Sequence, residues 1–445
     1  MTTLLDTLES LITGMIGHFR EEIGHFSHWR GVVWEIMEFV ILYPAAIALL
    51  WIVFGFLFVL RREWRLPLDP QFKPSITVVV PAHNEELVIA RTLDGLLDQT
   101  YAAMTIHVVS DGSSDATVAI AQRYASRGVT VHDLKSNRGK SAALQHALNH
   151  ADTDLFMVVD ADTMATPDAI RYIVQQFHDP AVGAVTGHPR VHNVVNLLTA
   201  VQAMEYAVIV SLAKRAEQFW GGLYTVSGAA ACFRTAALRQ VGGWSGRTAT
   251  EDIEVSWRLQ KAGWQLAYEP RALFHIQAPA RLAALYRQRS RWAQGMAEVM
   301  RFHGNLIHTD NATLIPIAVQ VLATALWMFL MTLALAQLVV VLLTGAAAPP
   351  AAGQLTDIEW YGIFFWTLGL FALQAFAACV FDSAYTRGVW KTFPLFMLYP
   401  IYYWAVIYPC FMFGASRGLI SSAAGRWTRT ERTAVPNTIK NSKRD

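Results

Sequence analysis

Charged residues are scarce in this chain: Asp, Glu, Lys and Arg together make up 16% of its 445 residues, against about 25% in typical soluble proteins. The formal net charge is only +2, which excludes a nucleic-acid partner recognised through overall positive charge, so electrostatic arguments must rest on local clusters. Hydrophobic residues reach 53% and aromatic residues 12%. This composition indicates a membrane protein with a soluble part.

Cysteine is also rare. The three cysteines, Cys232, Cys379 and Cys410, lie far apart and two of them fall in apolar runs, so they predict neither a disulfide framework nor a zinc site. The N-terminus lacks a basic start followed by a short apolar run and a cleavage site. We therefore expect no removable signal peptide.

Long apolar stretches, in contrast, are present. Spanning about 30 Å of hydrocarbon takes about 20 apolar residues, and four stretches qualify: 32–60, 314–344, 360–381 and 393–415. The last three form a predicted C-terminal membrane bundle over 314–415. The polar and apolar alternation between the first two stretches predicts a soluble domain inserted between membrane helices.

The basic residues that flank the spans predict their orientation. Arg61, Arg62 and Arg65 follow the first stretch, whereas the loop after the second contains no Lys or Arg, so we expect the soluble domain in the cytoplasm and that loop outside. Counting crossings puts the tail over 416–445 outside, yet this tail is strongly basic. Because three prolines in the last stretch allow a broken or re-entrant segment, we expect a cytoplasmic tail.

Two segments have the pattern of helices that lie on a membrane surface. Residues 1–31 carry apolar side chains at helical spacing with polar residues between them; docking of this helix onto a partner protein is the alternative. Residues 284–306 combine basic and aromatic side chains around "QRSRW". An interfacial position would put this second segment at the mouth of a path through the spans.

Between the membrane elements, short β-branched runs alternate with helix-compatible segments. The runs "SITVVVPAHNEE", "MTIHVVSDGSSD" and "DLFMVVDADT" each end in polar residues. This alternation predicts parallel βαβ units, and hence an α/β, Rossmann-like three-layer domain over 70–283. Ligands bind such sheets beyond the carboxyl ends of the strands, which makes the polar ends the candidate site.

Three carboxylates lie at these predicted strand ends. Asp111 begins a Gly-Ser turn, where it can face a ligand or serve only as a turn former. Asp160 and Asp162 follow a very apolar strand. Two close carboxylates repel each other unless a cation neutralises them, and Mg²⁺ held by carboxylates and substrate phosphates does so. An ordinary Asp-x-Asp turn is the alternative.

A basic loop lies between these strand ends in the sequence. Lys135, Arg138 and Lys140 surround Gly139 at the start of an Ala-rich helix, and the backbone N–H groups at a helix N-terminus bind anions. A solvated loop is the alternative interpretation. With the acidic strand ends, the set is consistent with a nucleotide diphosphate held by a metal ion.

Seven segments in order resemble one enzyme family. They are "VVVPAHNEE", "VVSDGSSDAT", "NRGKSAAL", "VVDADT", "TVSGAAACFRTAALRQVGGW", "TATEDIEVSWRLQKAGW" and "RQRSRWAQG". Together they resemble the inverting family 2 glycosyltransferases with a GT-A fold, above all the processive membrane branch that makes cellulose, chitin, hyaluronan and poly-N-acetylglucosamine. Within that branch, "VGAVTGHPRV" and "RSRWAQGMAEV" are most similar to bacterial poly-β-1,6-N-acetyl-D-glucosamine synthases.

The resemblance implies a UDP-sugar site at the strand ends. Asp111 would contact uracil, and the backbone at Ala82 and the side chain of Glu85 would line the same pocket. Asp160 would face the ribose or the diphosphate. Lys140 would lie near the nucleotide.

The resemblance also implies a metal ligand and a base. Asp162 would bind Mg²⁺ or Mn²⁺, and Ser227 and Gly228 would border the donor or acceptor sugar. In "TED", Asp252 would be the general base that takes the proton from the acceptor hydroxyl, and Glu251 would orient or support it. The alternative is a helix start with acids favourable to the helix dipole and the preceding threonine as N-cap.

In "QRSRW", the resemblance assigns three side chains to the substrates. Arg291 would bind the leaving diphosphate, since its planar fork suits phosphate oxygens. Trp292 would offer an aromatic face to a sugar ring, and Gln288 would hydrogen-bond across the site. A helix that anchors to lipid headgroups is the alternative, and it is compatible with the first interpretation.

The resemblance predicts a multi-pass enzyme of the inner (plasma) membrane that polymerises N-acetylglucosamine from UDP-GlcNAc into an exported β-linked biofilm polysaccharide. Its expected partners are the UDP-sugar donor, the growing polysaccharide, membrane lipids and a small membrane partner subunit. Three alternatives stay open: a synthase of a chitin-, hyaluronan- or cellulose-like polymer, a non-processive transferase that glycosylates a lipid carrier, and an inactive homologue that serves as a scaffold or channel.

Overall fold

The computed structural model describes residues 30–63, 68–304, 315–344, 357–386 and 388–420. Most of the predicted interfacial helix over 1–31 and of the basic tail over 416–445 therefore lies outside the described residues. The chain divides into two compact units, made of residues 1–50 with 319–371 and of residues 51–318 with 372–445.

Eight strands form one mixed sheet in the larger unit. They are β1 (Ile76–Ala82), β2 (Met104–Asp111), β3 (Val129–Leu134), β4 (Leu155–Val159), β5 (Met164–Ala165), β6 (Val182–Val191), β7 (Ala230–Arg234) and β8 (Gln265–Ile276). Their order across the sheet is β3-β2-β1-β4-β7-β6-β8-β5. The first four in this order pair in parallel, as does β6 with β8, whereas β7 is antiparallel to both of its neighbours.

The α-helices connect these strands and continue beyond them. In chain order they are α1 (Arg30–Arg61), α2 (Ile89–Leu97), α3 (Thr117–Gln122), α4 (Lys140–Asn149), α5 (Ala169–Gln175), α6 (Leu197–Glu205), α7 (Ala213–Phe219), α8 (Thr235–Gln240), α9 (Glu251–Lys261), α10 (Leu282–His303), α11 (Ile315–Thr344), α12 (Asp357–Ser383), α13 (Tyr399–Tyr402) and α14 (Tyr408–Ile420). A π-helical segment over Tyr206–Leu212 joins α6 to α7.

Strand β1 shows why the sheet forms here. Its sequence, ITVVVPA, is rich in β-branched residues and all 7 are buried, as expected for a central strand covered on both faces. On one face Val78 belongs to a core cluster with Leu93 of α2. On the other, Val79 belongs to a second cluster with Leu144 of α4. The two core layers around one sheet confirm the predicted α/β three-layer class.

Four helices in the described part of the chain are long and apolar enough to cross a membrane, by length and composition: Leu42–Arg61, Leu197–Phe219, Ile315–Gln337 and Val389–Ile420. The second was not among the predicted spans, and 65% of its most apolar window is buried inside the protein. The stretch predicted at 360–381 falls within α12, where the apolar helix is the shorter Leu368–Ser383.

The last predicted span, 393–415, is an irregular helical run. A 3₁₀ segment over Val389–Leu398 contains Pro394, and a π-helical segment over Tyr403–Ile407 separates α13 from α14. Proline lacks a backbone donor and clashes with the preceding turn of a helix. The prolines of this stretch therefore explain why its helix is not regular.

A buried ionic network joins the sheet to the ends of two apolar helices of the larger unit. Arg215 of α7 is fully buried and binds Glu63, just beyond α1, through bonds of 2.7 and 2.9 Å. Asp382 of α12 accepts a 2.6 Å bond from Arg190 of β6 and a 3.2 Å bond from Arg215. Charges in a protein interior require such mutual neutralisation.

Candidate active site at the carboxyl edge of the sheet

The basic loop before α4 is held by Asp111. The carboxylate of this buried residue accepts hydrogen bonds from the backbone N–H groups of Arg138, at 2.9 Å, and Gly139, at 2.7 Å. Gly112, at φ +65°, makes the close approach possible, because a Cβ there would lie 2.6 Å from the backbone nitrogen of Asn137. Asp111 therefore positions the loop, and its contact with uracil stays a prediction.

Two further predicted nucleotide contacts lie beside this loop. Ala82, the last residue of β1, is fully buried and pairs with Ser110 of β2. Glu85 is 2% exposed, and its backbone N–H donates to Thr117 Oγ1 at 2.8 Å. Between them, a ring nitrogen of His83 lies 2.8 Å from the carbonyl oxygen of Asp111. The first strand ends are thus tightly cross-linked by hydrogen bonds.

Lys140, the first residue of α4, joins two carboxylates of the site. Its Nζ lies 2.7 Å from Asp160 Oδ1 and 2.8 Å from Glu251 Oε1. Burial disfavours the ammonium, but the two carboxylates outweigh burial and hold the pKa of Lys140 above its ordinary value. The lysine that the sequence analysis placed near the nucleotide is therefore also the internal counter-charge of the site.

The donor set at the end of β4 fits a hard divalent cation. Burial raises the pKa of Asp160; the Lys140 ammonium opposes this rise and the charge of Asp162 adds to it. A cation would relieve the repulsion between the two carboxylates. Among the described residues, no group of three His, Cys, Asp or Glu side chains is arranged to hold a metal ion. Mg²⁺ is usually bound by one or two carboxylates and completed by substrate phosphates.

A pocket opens beside Asp162. Arg91 of α2, His192 and Gln277 line it together with this carboxylate. The sequence analysis named none of these three residues, because they come from separate segments that meet only in the folded sheet. This cleft has room for about one water molecule.

The "TED" acids are the first two residues of α9. Asp252 Oδ2 accepts a 2.8 Å bond from the Gly228 backbone N–H, and Oδ1 accepts a 3.0 Å bond from that of Ile253. Burial, and next the charge of Glu251, raise the pKa of Asp252 to about 6. Burial also opposes ionisation of Glu251, but the Lys140 ammonium outweighs it and holds that pKa below its ordinary value.

The two neighbouring acids are therefore electrostatically different. Glu251 is paired and ionised, whereas Asp252 is poised to exchange a proton near neutral pH, as a general base requires. Thr250 occupies the N-cap position of α9, but its side chain makes no capping hydrogen bond. The alternative interpretation, a helix start with acids in its first turn, is therefore present in the structure, but without the threonine side-chain cap.

The segment "VSG" approaches the same carboxylate. A Cβ at Gly228 would lie 2.9 Å from Asp252 Oδ2, closer than real Cβ contacts, so a larger residue here would displace this carboxylate. The backbone N–H of Ser227 donates to Thr186 Oγ1 at 2.9 Å. Sequence analysis placed both residues near the sugars, and the structure places them beside the predicted base.

Helix α10 brings "QRSRW" to the start of α9. Arg291 Nη1 donates a 2.7 Å bond to the carbonyl oxygen of Ala249, and its charge favours the ionised forms of Glu251 and Asp252. A Cβ at Gly295 would come within 2.6 Å of Thr250 Cγ2. This glycine therefore lets the two helices approach closely at the site.

The other two predicted residues of this motif are less exposed than Arg291. Gln288 and Trp292 are both half-buried, whereas Arg291 is exposed. All three lie on α10, within the predicted interfacial segment 284–306. Their contacts with the substrates stay predictions.

Arg289, which was not among the predicted site residues, is the half-buried arginine of "QRSRW". Its Nη2 donates a 2.6 Å bond to Glu205 of α6, and its guanidinium carbon lies 4.6 Å from the centre of the Trp292 ring. The hydroxyl of Tyr402 also donates to Glu205, at 3.3 Å. Glu205 is the lone carboxylate within the apolar run "LLTAVQAMEYAVIVSL". Because buried charges are paired, this residue indicated that a positively charged partner should exist.

Helix α10 also packs closely on α14. A Cβ at Gly414 would lie 2.9 Å from that of Ala293, and a Cβ at Gly418 would lie 2.9 Å from that of Ala297. Small residues four apart let helix backbones approach in this way. The helix that carries "QRSRW" is thus held between the site and the last helix.

This chain is similar to known proteins over most of its length. The family model described as glycosyltransferase like family 2 matches residues 74–295. A poly-β-1,6-N-acetyl-D-glucosamine synthase of Staphylococcus aureus (strain COL) is 34% identical over 310 residues, 67% of this chain and 75% of the relative. The chain belongs to glycosyltransferase family 2. This family 2 enzyme is also 31% identical to the synthase of the same name from Staphylococcus epidermidis, over 84% of its own length and 92% of the relative.

A solved structure has the same fold. The mannosyltransferase PcManGT from Pyrobaculum calidifontis, in complex with GDP-Man and Mn²⁺, superposes with a TM-score of 0.57 and 22% identity, over 86% of this chain and 99% of that chain. The family match and this likeness confirm the GT-A-like fold that the sequence segments predicted. The family model and the curated relatives confirm the resemblance to family 2.

Proposed function

We propose that this family 2 glycosyltransferase polymerises N-acetylglucosamine from UDP-GlcNAc into poly-β-1,6-N-acetylglucosamine, processively and with inversion. The names of its relatives, at 34% and 31% identity over most of the chain, support the donor and the polymer. The observation that carries the chemistry is Asp252, with a pKa of about 6, close to a lysine-bridged pair of carboxylates. Inverting transfer needs one such base beside a diphosphate site.

In the proposed reaction, a hydroxyl oxygen of the acceptor sugar attacks the anomeric carbon of the donor. The bond from that carbon to the UDP oxygen breaks, and the proton of the attacking hydroxyl passes to Asp252. Arg291 stabilises the negative charge of the departing diphosphate. A Mg²⁺ or Mn²⁺ ion held by Asp162, with Asp160 beside it, would supply further charge stabilisation there when bound.

The remaining roles follow the same proposal. Asp111 and Glu85 belong to the uracil side of the site, and the growing polysaccharide lies against Trp292. The catalytic domain faces the cytoplasm of the inner membrane, where UDP-sugars are made, and the polymer leaves through the apolar helices. Membrane lipids surround those helices, and a small membrane subunit assists export of this biofilm polysaccharide.

Radiolabelled UDP-sugars test this proposal directly. Membranes that contain the protein, given UDP-GlcNAc and Mg²⁺, should form a high-molecular-weight product that a β-1,6-specific glycosidase digests. Product formed only from another UDP-sugar would indicate a chitin-, hyaluronan- or cellulose-like polymer. A lipid that carries a single sugar as the sole product would refute processivity.

The proposed base has its own test. Asp252→Asn should abolish synthesis and leave UDP binding close to the unchanged protein, because no nucleotide contact is proposed for this side chain. Normal turnover in this variant would remove Asp252 from the role of base. If the variant lost both synthesis and UDP binding, misfolding would explain the loss. If it lost synthesis and kept UDP binding, misfolding would be excluded.

A further inference from the structure

Four histidines outside the active site form one cluster, the histidine cluster: His107 of β2, His132 of β3, His146 of α4 and His150, just after α4. Their ring centres lie 5.3 Å apart for the first pair, 5.2 Å for the second and third, and 4.5 Å for the third and fourth. The sequence analysis looked for zinc ligands only among the cysteines. The proposed glycosyl transfer uses none of these imidazoles.

The ring nitrogens approach each other at ligand-like distances. His132 Nδ1 lies 3.3 Å from His146 Nε2. Nitrogens bound tetrahedrally at about 2.0–2.1 Å from one Zn²⁺ lie roughly 3.3 Å from each other. One ion between these two rings would therefore leave both nearly where they are.

The third ligand, His150, directly follows the helix that contains His146. His146 and His150 are four residues apart, a spacing that puts two side chains on one helical face, as in helical zinc motifs. His150 is exposed, and one of its ring nitrogens faces the carbonyl oxygen of His146 at 2.8 Å. Among the described residues, no three such side chains already converge on one point, so binding requires the His150 ring to turn.

His107 supplies the support that metal-bound imidazoles have. Its Nδ1 lies 3.1 Å from His132 Nε2, so His132 can bind a metal through Nδ1 while its other nitrogen donates to His107. Metal-bound histidines almost always make such a second hydrogen bond.

We propose that the histidine cluster is a site for a late first-row divalent ion such as Zn²⁺, bound by His132, His146 and His150 and supported by His107. An all-imidazole donor set suits Zn²⁺, Cu²⁺ or Ni²⁺, whereas the carboxylates near Asp162 suit Mg²⁺ or Mn²⁺. His146 and His150 lie toward the end of α4 opposite Lys140, and a ten-residue helix is about 15 Å long. The two metal sites are therefore separate.

Zinc content of the full-length protein tests this site. The detergent-solubilised chain, purified without a polyhistidine tag and stripped with a chelator, is dialysed against micromolar Zn²⁺ with excess Mg²⁺. We expect one tightly held zinc per chain. The double variant His146→Asn/His150→Asn should lose it, and His107→Gln should weaken binding by about 10-fold or more.

Two controls make the outcome decisive. His178→Asn, which removes a half-exposed histidine stacked on Phe72, should keep the zinc, and Asp162→Asn should keep it as well. Unchanged zinc in the double variant, or zinc lost with Asp162, would overturn the proposal, as would the absence of bound zinc in the unchanged chain. Because His150 is exposed, the single variant His150→Asn tests the same ligand with little risk to folding.

Discussion

The raised pKa of Asp252 leads to a sharp prediction for Glu251→Gln. Glu251 is the first residue of α9, and its charge is the second cause, after burial, of the high pKa of its neighbour. The substitution removes that charge and keeps the size of the side chain. Lys140 retains its 2.7 Å pair with Asp160, so a positive charge still favours the ionised base.

The expected change in the pKa of Asp252 follows from the two causes that raise it, burial and the charge of Glu251. The pKa of Asp252 rises from 3.8 to about 6, so the shift is about 6 − 3.8 ≈ 2.2 units, or about 3 kcal/mol at 1.36 kcal/mol per unit. Burial is the larger of the two causes that raise the pKa and remains in the variant, so we take a fall of about one unit as the order of magnitude of the Glu251 contribution. At pH 5 the ionised fraction would then rise from about a tenth to about a half.

The assay is the pH dependence of kcat/KM for UDP-GlcNAc, measured from about pH 5 to 8. A base acts only when it is ionised, so activity should rise with pH and reach half of its plateau near pH 6 in the unchanged protein. In Glu251→Gln the rise of kcat/KM with pH should occur at lower pH, even if the maximum value of kcat/KM is smaller. Glu254→Gln is the matched control, because this acid of the same helix pairs with Arg258. A rise at unchanged or higher pH in Glu251→Gln would refute the reasoning.

Two further predictions concern buried charges. Asp382→Ala leaves two arginines without their shared carboxylate, 2.6 and 3.2 Å away; we expect a loss of about 3–5 kcal/mol in unfolding free energy, seen as a lower thermal midpoint in detergent. Asp94→Ala breaks a pair that is about half exposed and should cost less than about 1 kcal/mol; equal losses would contradict this account. Glu205→Gln removes the charged partner of Arg289, which lies against Trp292. We expect shorter polymer chains when the same amount of UDP has been released, and Arg289→Lys should also shorten them. Polymer of unchanged length in both variants would show that this pair does not position the acceptor.

The sheet and the location of the site followed from local patterns. A run such as ITVVVPA is buried over its whole length because it can only be a central strand, and the polar residue after each such strand must then lie at one edge. Asp111 and Asp160 were predictable for that reason. An apolar strand and the polar residue that follows it are neighbours in the sequence, so no knowledge of tertiary contacts was needed.

The partners of these side chains were not predictable in the same way. Lys140 was expected near a nucleotide, and it bridges Asp160 and Glu251, which follow it by 20 and 111 positions in the numbering. Nothing local encodes which carboxylates a lysine will meet when its helix packs on a sheet. The same holds for Leu197–Phe219, where hydropathy is compatible with a span but only tertiary packing shows that most of the helix is covered by protein.

Helix α10 contacts both the start of α9 and helix α14. Arg291 binds the carbonyl oxygen that precedes "TED", Gly295 admits close contact with Thr250, and Gly414 of α14 fits against the opposite part of the helix. The contacts at Gly295 and Gly414 depend on the absence of a Cβ. Helix α10 is therefore in close contact both with α14 and with the start of α9, where Asp252 lies.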